Sequence, residues 1–174
     1  SAVDKMIIET DRLIIKEFDP GMAKAVHENS LDDDNRRFVP DEVFETEDAA
    51  RETIKFLISQ YAAEDGPLVY PVLTKNDENI GYVQLVPIDG GWEIGYHIAK
   101  KYTGNGYATE AVSAFLPVIA EKKGLSEIYG ICLKENAVSA KVMEKCGFEN
   151  LYCGAGEYQG EHREIVKNVW RRQQ

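Results

Sequence analysis

Residues 92–109 read Trp-Glu-Ile-Gly-Tyr-His-Ile-Ala-Lys-Lys-Tyr-Thr-Gly-Asn-Gly-Tyr-Ala-Thr, and this stretch decides the fold. Its first seven residues alternate as a strand does. Trp92, Ile94, Tyr96 and Ile98 share one face, while Glu93, Gly95 and His97 share the other. A short polar turn with Gly104 and Gly106 follows. Ala108, Ala111, Val112, Phe115, Leu116, Ile119 and Ala120 then recur at helical spacing, which predicts a helix over 106–122. Pro117 lies inside it and predicts a kink, and Gly124 closes it.

Strand, glycine turn and helix together make an anion site. The first helical N–H groups have no partner within the helix, and the helix dipole adds partial positive charge there. Glycines let a phosphate approach the backbone. The turn is therefore expected to hold a phosphate-bearing cofactor. A nucleoside triphosphatase loop would need Gly-Lys-Ser/Thr, which is absent. A dinucleotide fingerprint needs a third glycine where Thr109 stands, and an acidic residue about 20 positions later. An ordinary strand-to-helix turn also fits this spacing.

Two further segments narrow the choice. Tyr-Thr-Gly-Asn-Gly-Tyr-Ala-Thr-Glu-Ala at 102–111 resembles the acetyl-CoA pyrophosphate loop of the GNAT N-acetyltransferases. Glu-Asn-Ala-Val-Ser-Ala-Lys-Val-Met-Glu-Lys-Cys-Gly-Phe at 135–148 resembles that family's second motif, Asn-x-x-Ser…Glu-Lys-x-Gly-Phe. Glu9-Thr10-Asp11-Arg12-Leu13-Ile14-Ile15 is similar to the start of its ribosomal-protein branch, the RimJ/RimL type. The resemblance implies an α+β fold: a mixed, mostly antiparallel sheet with helices on both faces and a central strand pair that splays to admit acetyl-CoA.

It also implies roles, residue by residue. The backbone of Gly104, Asn105, Gly106, Tyr107, Ala108 and Thr109 would hold the pyrophosphate. Thr103 stands where the family usually has Gln or Arg, so a charge-assisted contact is missing. Asn136 matches a pantetheine contact, or is simply a helix cap. A backbone N–H in the run Tyr96, His97, Ile98 would meet the thioester oxygen, with Gly95 either marking a bulge or serving packing. Glu93 is the candidate base, or a solvated strand carboxylate. Ser139 matches the serine proposed to meet the leaving thiolate, or is a first-turn helix serine, and Tyr152 is a further candidate acid or a half-buried strand tyrosine. The family tyrosine is replaced here by Met143, which has no proton to give. Cys146 reads as a small buried hydrophobe, and His97 reads as structural.

Composition sets outer bounds. At 174 residues the chain is one domain's worth, able to bury roughly 70% of its unfolded surface. Three cysteines without C-x-x-C spacing argue against a disulfide framework and for a reducing compartment. His27, His97 and His162 are scattered, so no metal cluster is expected. No long apolar run or signal pattern is present, which places the chain in the cytoplasm. A net charge of −10 disfavours nucleic acid and anionic membranes, and suits either plain solubility or a cationic acceptor.

The remaining elements follow from periodicity and turn residues. Residues 6–18 predict a first strand, and Met22 to Asn29 a short helix after Pro20. Residues 31–45, with Asp32, Asp33 and Asp34, predict a solvated loop or a negative rim. Thr46 caps a helix whose stripe is Ala50, Ile54, Leu57, Ile58 and Tyr61. Strands are expected over 68–74, 80–87, 92–98, 127–133, 148–153 and 163–170, with a helix between Asn136 and Gly147.

The expected reaction is acetyl transfer from acetyl-CoA to a primary amine, preferably a protein N-terminal α-amine. A polyamine or aminoglycoside acceptor, or an acyl-CoA-binding module without catalysis, remains open. So does the choice between monomer and homodimer.

Overall fold

The computed structural model describes residues 5–38 and 42–173, with residues 37 and 38 by backbone alone. Eight strands form one sheet: β1 (Ile7–Glu9), β2 (Leu13–Lys16), β3 (Leu68–Thr74), β4 (Asn79–Ile88), β5 (Gly91–Ile98), β6 (Glu127–Leu133), β7 (Glu149–Tyr158) and β8 (Glu161–Arg171). Their order is β1-β2-β3-β4-β5-β6-β8-β7, and only the β5–β6 pair is parallel. That parallel step requires a crossover, which the helix α4 (Tyr107–Lys123) supplies.

Helix α4 packs its periodic stripe on one face of the sheet. Ala111, Val112, Phe115, Leu116, Ile119 and Ala120 are fully buried in one cluster with Leu13, Tyr70, Val83, Leu85 and Ile94. The same side carries α5 (Ala137–Lys145), through Val142 and Met143. The opposite face is covered by α1 (Ala23–Ser30) and α3 (Glu47–Gln60), which bury Ala23, Ala50 and Ile54 against Phe18 and Val69. Each fully buried Leu, Ile or Phe adds about 1.5–3 kcal/mol to the driving force.

Local chemistry sets the helix ends. The Thr46 hydroxyl accepts the Ala49 N–H at 3.0 Å, which caps α3. Asn136 Oδ1 accepts the Ser139 N–H at 3.0 Å, which caps α5. Gly124 takes φ +67° and ends α4 by donating its N–H to the Ala120 and Glu121 carbonyls. Pro117 lies inside α4, which remains one continuous helix across it.

Three expectations change. Residues 6–18 form two strands rather than one, because Thr10 turns the chain: its N–H donates to the Leu13 carbonyl at 2.9 Å and β1 folds back on β2. Within 31–45 a short helix, α2 (Asp33–Phe38), replaces the expected loop, since Asp32 Oδ1 accepts the Asn35 N–H at 2.8 Å. The part of that region at 39–41 lies outside the described residues. Gly95 marks no bulge, because β4 and β5 stay in one register from Gly81–Ile98 to Gly91–Ile88. It is glycine for space: a Cβ there would lie 2.6 Å from Gln84 Nε2.

Candidate active site

The turn between β5 and α4 presents bare amides. Gly104 and Gly106 adopt φ of +81° and +77°, a region that costs a residue with a Cβ about 1–2 kcal/mol. Among the described residues, no protein group accepts from the N–H groups of Gly104, Asn105, Gly106, Tyr107, Ala108 or Thr109. A Cβ on Gly104 would meet nothing within 4 Å, so the approach is open. The loop holds its shape through Asn105, whose Nδ2 donates to the Tyr102 and Thr103 carbonyls at 3.0 and 3.3 Å. Six unpaired amides at a helix N-terminus fit a diphosphate. Thr103 turns away from that task. Its hydroxyl and its N–H both donate to the Lys100 carbonyl, at 2.7 and 3.2 Å.

Arg12 escaped the sequence reading as a site residue. It reaches the loop from β2's leading turn: Nε donates to Glu110 Oε1 at 2.7 Å and NH1 to the Asn105 carbonyl at 2.9 Å. Its guanidinium also lies 4.5 Å from the centre of the Tyr107 ring. The signal was present in the Thr-Asp-Arg-Leu segment, but nothing local ties that segment to a loop about ninety positions away.

Beside the loop the sheet parts. Among the described residues, β5 meets β6 in one register pair, Glu93 with Tyr129. Beyond it the strands diverge toward their C-terminal ends, where open α/β sheets take their ligands. The Ala99 N–H donates to the Ile80 carbonyl at 2.8 Å. Antiparallel pairing alternates, so the His97, Gly95 and Glu93 backbones bond to β4. The N–H groups of Tyr96 and Ile98 consequently point away from β4 and into the parting. Of the run Tyr96–Ile98, His97 is the member whose amide is engaged.

A cleft of about 300 Å³ fills the parting and brings together Glu93, Tyr96, His97, Ser139 and Met143. Burial pushes the Glu93 carboxyl up to about 7, against the opposing pull of the Ile131 N–H and the Lys167 charge. The Tyr96 hydroxyl donates to Ser139 Oγ at 3.0 Å, and burial raises the phenol above its ordinary range. His97 is half-buried; the loss of solvent lowers its pKa, and its Nε2 has no partner among the described residues. Asn136 stands at the α5 cap, with its oxygen committed to Ser139 N–H.

Tyr152, the further candidate acid, does not reach the cleft. Tyr152 is 47% exposed, donates to the Ala155 carbonyl at 2.7 Å, and does not line the cleft. Tyr158 does line it, from the tip of the β7–β8 hairpin. The cause is distance along β7: Tyr152 lies near its start, and only its far end overhangs the parting. Met143 borders the cleft with its sulfur packed against Gly130, where a Cβ would lie 2.6 Å away. Cys146 is half-buried beside Ser113, 3.2 Å away, and Cys132, Cys146 and Cys153 are all free thiols.

Known proteins share this architecture. Residues 12–149 match the acetyltransferase (GNAT) domain. The chain is 31% identical over 144 residues to the uncharacterized N-acetyltransferase YnaD of Bacillus subtilis, covering 82% of each. A GNAT-family acetyltransferase from Bacillus anthracis superposes with a TM-score of 0.79 at 27% identity, over 95% of this chain and 98% of that one. RimL, a ribosomal L7/L12 α-N-protein acetyltransferase solved with coenzyme A, gives 0.79 at 19% identity over 96% and 98%, a likeness of fold. The bare amides and parted strands fit acetyl-CoA, and the chain belongs to the GNAT family of acetyl-CoA-dependent N-acetyltransferases.

Proposed function

We propose that the chain acetylates a protein N-terminal α-amine by direct transfer from acetyl-CoA in a ternary complex. The observation that carries this reading is Glu93, a carboxylate held near pKa 7 at the apex of the parted strands. At pH 7 a lysine amine of pKa about 10.4 costs roughly 4.6 kcal/mol to deprotonate, whereas an α-amine near 8 costs about 1.4. A base of pKa 7 is matched to the second demand and weak for the first. The likeness of fold to RimL, an α-N-protein acetyltransferase, supports the same choice.

In this reading Glu93 takes the proton from the incoming amine, directly or through one water. The amine nitrogen bonds to the thioester carbon and the carbon–sulfur bond breaks. The N–H groups of Tyr96 and Ile98 face the negative charge that develops on the carbonyl oxygen. Ser139 passes a proton to the sulfur and takes one from the Tyr96 phenol that donates to it, and solvent restores the phenol as Glu93 releases the amine proton. The Ser139 and Tyr96 pair stands in for the tyrosine that Met143 replaces. The free amides of 104–109 hold the diphosphate, and Asn136 meets the pantetheine arm. Three free thiols suit a reducing compartment, the cytoplasm.

The test is release of free coenzyme A with peptides bearing free α-amines, against polyamines and aminoglycosides. Peptides are expected to react at least tenfold faster by kcat/KM. Turnover confined to the small amines removes the α-amine reading.

A further inference from the structure

A second cavity, of about 250 Å³, lies beside the cleft, between β4 and the helices α1 and α3. Glu42, Tyr82, Gln84 and His97 line both volumes, so the two adjoin there. The inner part is walled by apolar side chains, among them Val26, Phe44, Ile54 and Leu57. The junction is acidic: Glu42 accepts from the Tyr82 hydroxyl there, and Glu93 and Glu157 border the cleft beyond.

This arrangement differs from an ordinary packing defect in two ways. Apolar cavities of about 150 Å³ already accommodate a benzene ring, so this one has room for a large side chain. Its border also carries two side-chain nitrogens, Asn79 Nδ2 and His97 Nε2, without a partner among the described residues. Asn79 is 7% exposed. Buried polar groups are nearly always paired, so these two nitrogens mark a polar rim that the backbone of an acceptor, not its apolar side chain, would complete.

From the shared border of the two volumes and the apolar wall of the inner one, we infer that this cavity receives the side chain of the acceptor's first residue, and that the side chain is large and apolar, of leucine to phenylalanine size. The inference rests on the α-amine acceptor proposed above. The ammonium then lies at the acidic junction within reach of Glu93, its side chain turns inward along β4, and the peptide leaves outward. A first residue with a carboxylate would place negative charge beside Glu42 and lose the apolar contacts. Glycine would leave the cavity empty.

The experiment is a panel of peptides identical except for a first residue of Phe, Leu, Ser, Gly, Asp or Lys, assayed by coenzyme A release. The values of kcat/KM for Phe and Leu are expected to exceed those for Gly and Asp by tenfold or more, the scale on which apolar pockets discriminate. Val26→Phe, which fills the cavity, is expected to lower the Phe-to-Gly ratio at least tenfold. Calorimetric affinity for acetyl-CoA shows that the variant has folded. Turnover that is equal across first residues, or a ratio that folded Val26→Phe leaves unchanged, overturns the cavity assignment while α-amine transfer stands. No turnover with any peptide overturns both.

Discussion

Arg12 and Glu110, 98 positions apart, are joined at 2.7 Å across the edge of the turn between β5 and α4. Glu110 also accepts from the Arg12 N–H at 3.1 Å and from the Thr10 hydroxyl at 2.6 Å. Burial pushes its carboxyl up, but these hydrogen bonds and the Arg12 charge outweigh it and hold the group below its ordinary range. A carboxylate in the first turn of α4 competes with a phosphate for the same positive end of the helix. Arg12 offsets that charge and, through the Asn105 carbonyl, fixes the loop that Thr103 leaves without a cation.

Arg12→Ala should therefore raise KM for acetyl-CoA about tenfold, the equivalent of about 1.4 kcal/mol, with little change in kcat. Adding Glu110→Gln should recover part of the loss, because it removes the charge that Arg12 offsets. Steady-state kinetics on the two single variants and the double variant measure the coupling. Additive losses would remove the electrostatic role and leave a structural one.

Glu93→Gln tests the base. Activity of the parent should rise as pH increases through about 7, where Glu93 loses its proton. In the Gln variant that limb should vanish and kcat should fall roughly 10²-fold or more. Stability moves the other way. The folded carboxyl binds its proton more tightly than the unfolded one, so Glu93 makes the parent lose stability as pH rises from about 4.5 to about 7. The Gln variant should show a flatter melting-temperature profile across that window. An unchanged slope by differential scanning calorimetry would show that Glu93 is not the group responsible.

Tyr96→Phe and Ser139→Ala remove two parts of one unit. Each alone should lower kcat, and the double variant should lose little beyond the worse single one, since residues acting together are not additive. Independent, multiplicative losses in kcat would break the proposed relay.

Gly104→Ala probes the loop backbone. Space is open around that position, so the cost is the strained φ of +81° alone, about 1–2 kcal/mol. If the loop relaxes to relieve it, its amides lose their alignment. KM for acetyl-CoA should rise while the rate at saturation changes little.

Much of this molecule was legible in the chain because its signals are local. The alternation in 92–98, the two glycines before α4 and the Thr46 and Asn136 caps each state their structure within a few residues. The α2 helix was missed because six residues with two exposed carboxylates carry no periodicity. Tyr152 was weighed as an acid and Tyr158 was not, because the strand was expected to end at Cys153, short of Tyr158. Which of them overhangs the parting depends on the length and position of a hairpin, and no residue type encodes that.

The order of residues alone carried the family resemblance, with Glu93 as its candidate base, and most of the elements and the glycine turn before α4, which follow from short-range periodicity, capping and glycine conformation. Only the tertiary structure decided that β5 and β6 touch at Glu93–Tyr129 and part beyond it, that Arg12 braces the loop, and that a second cavity adjoins the first at His97. These are contacts between segments tens of residues apart. Their distances are set by how two packed layers close on one sheet, which local sequence does not specify.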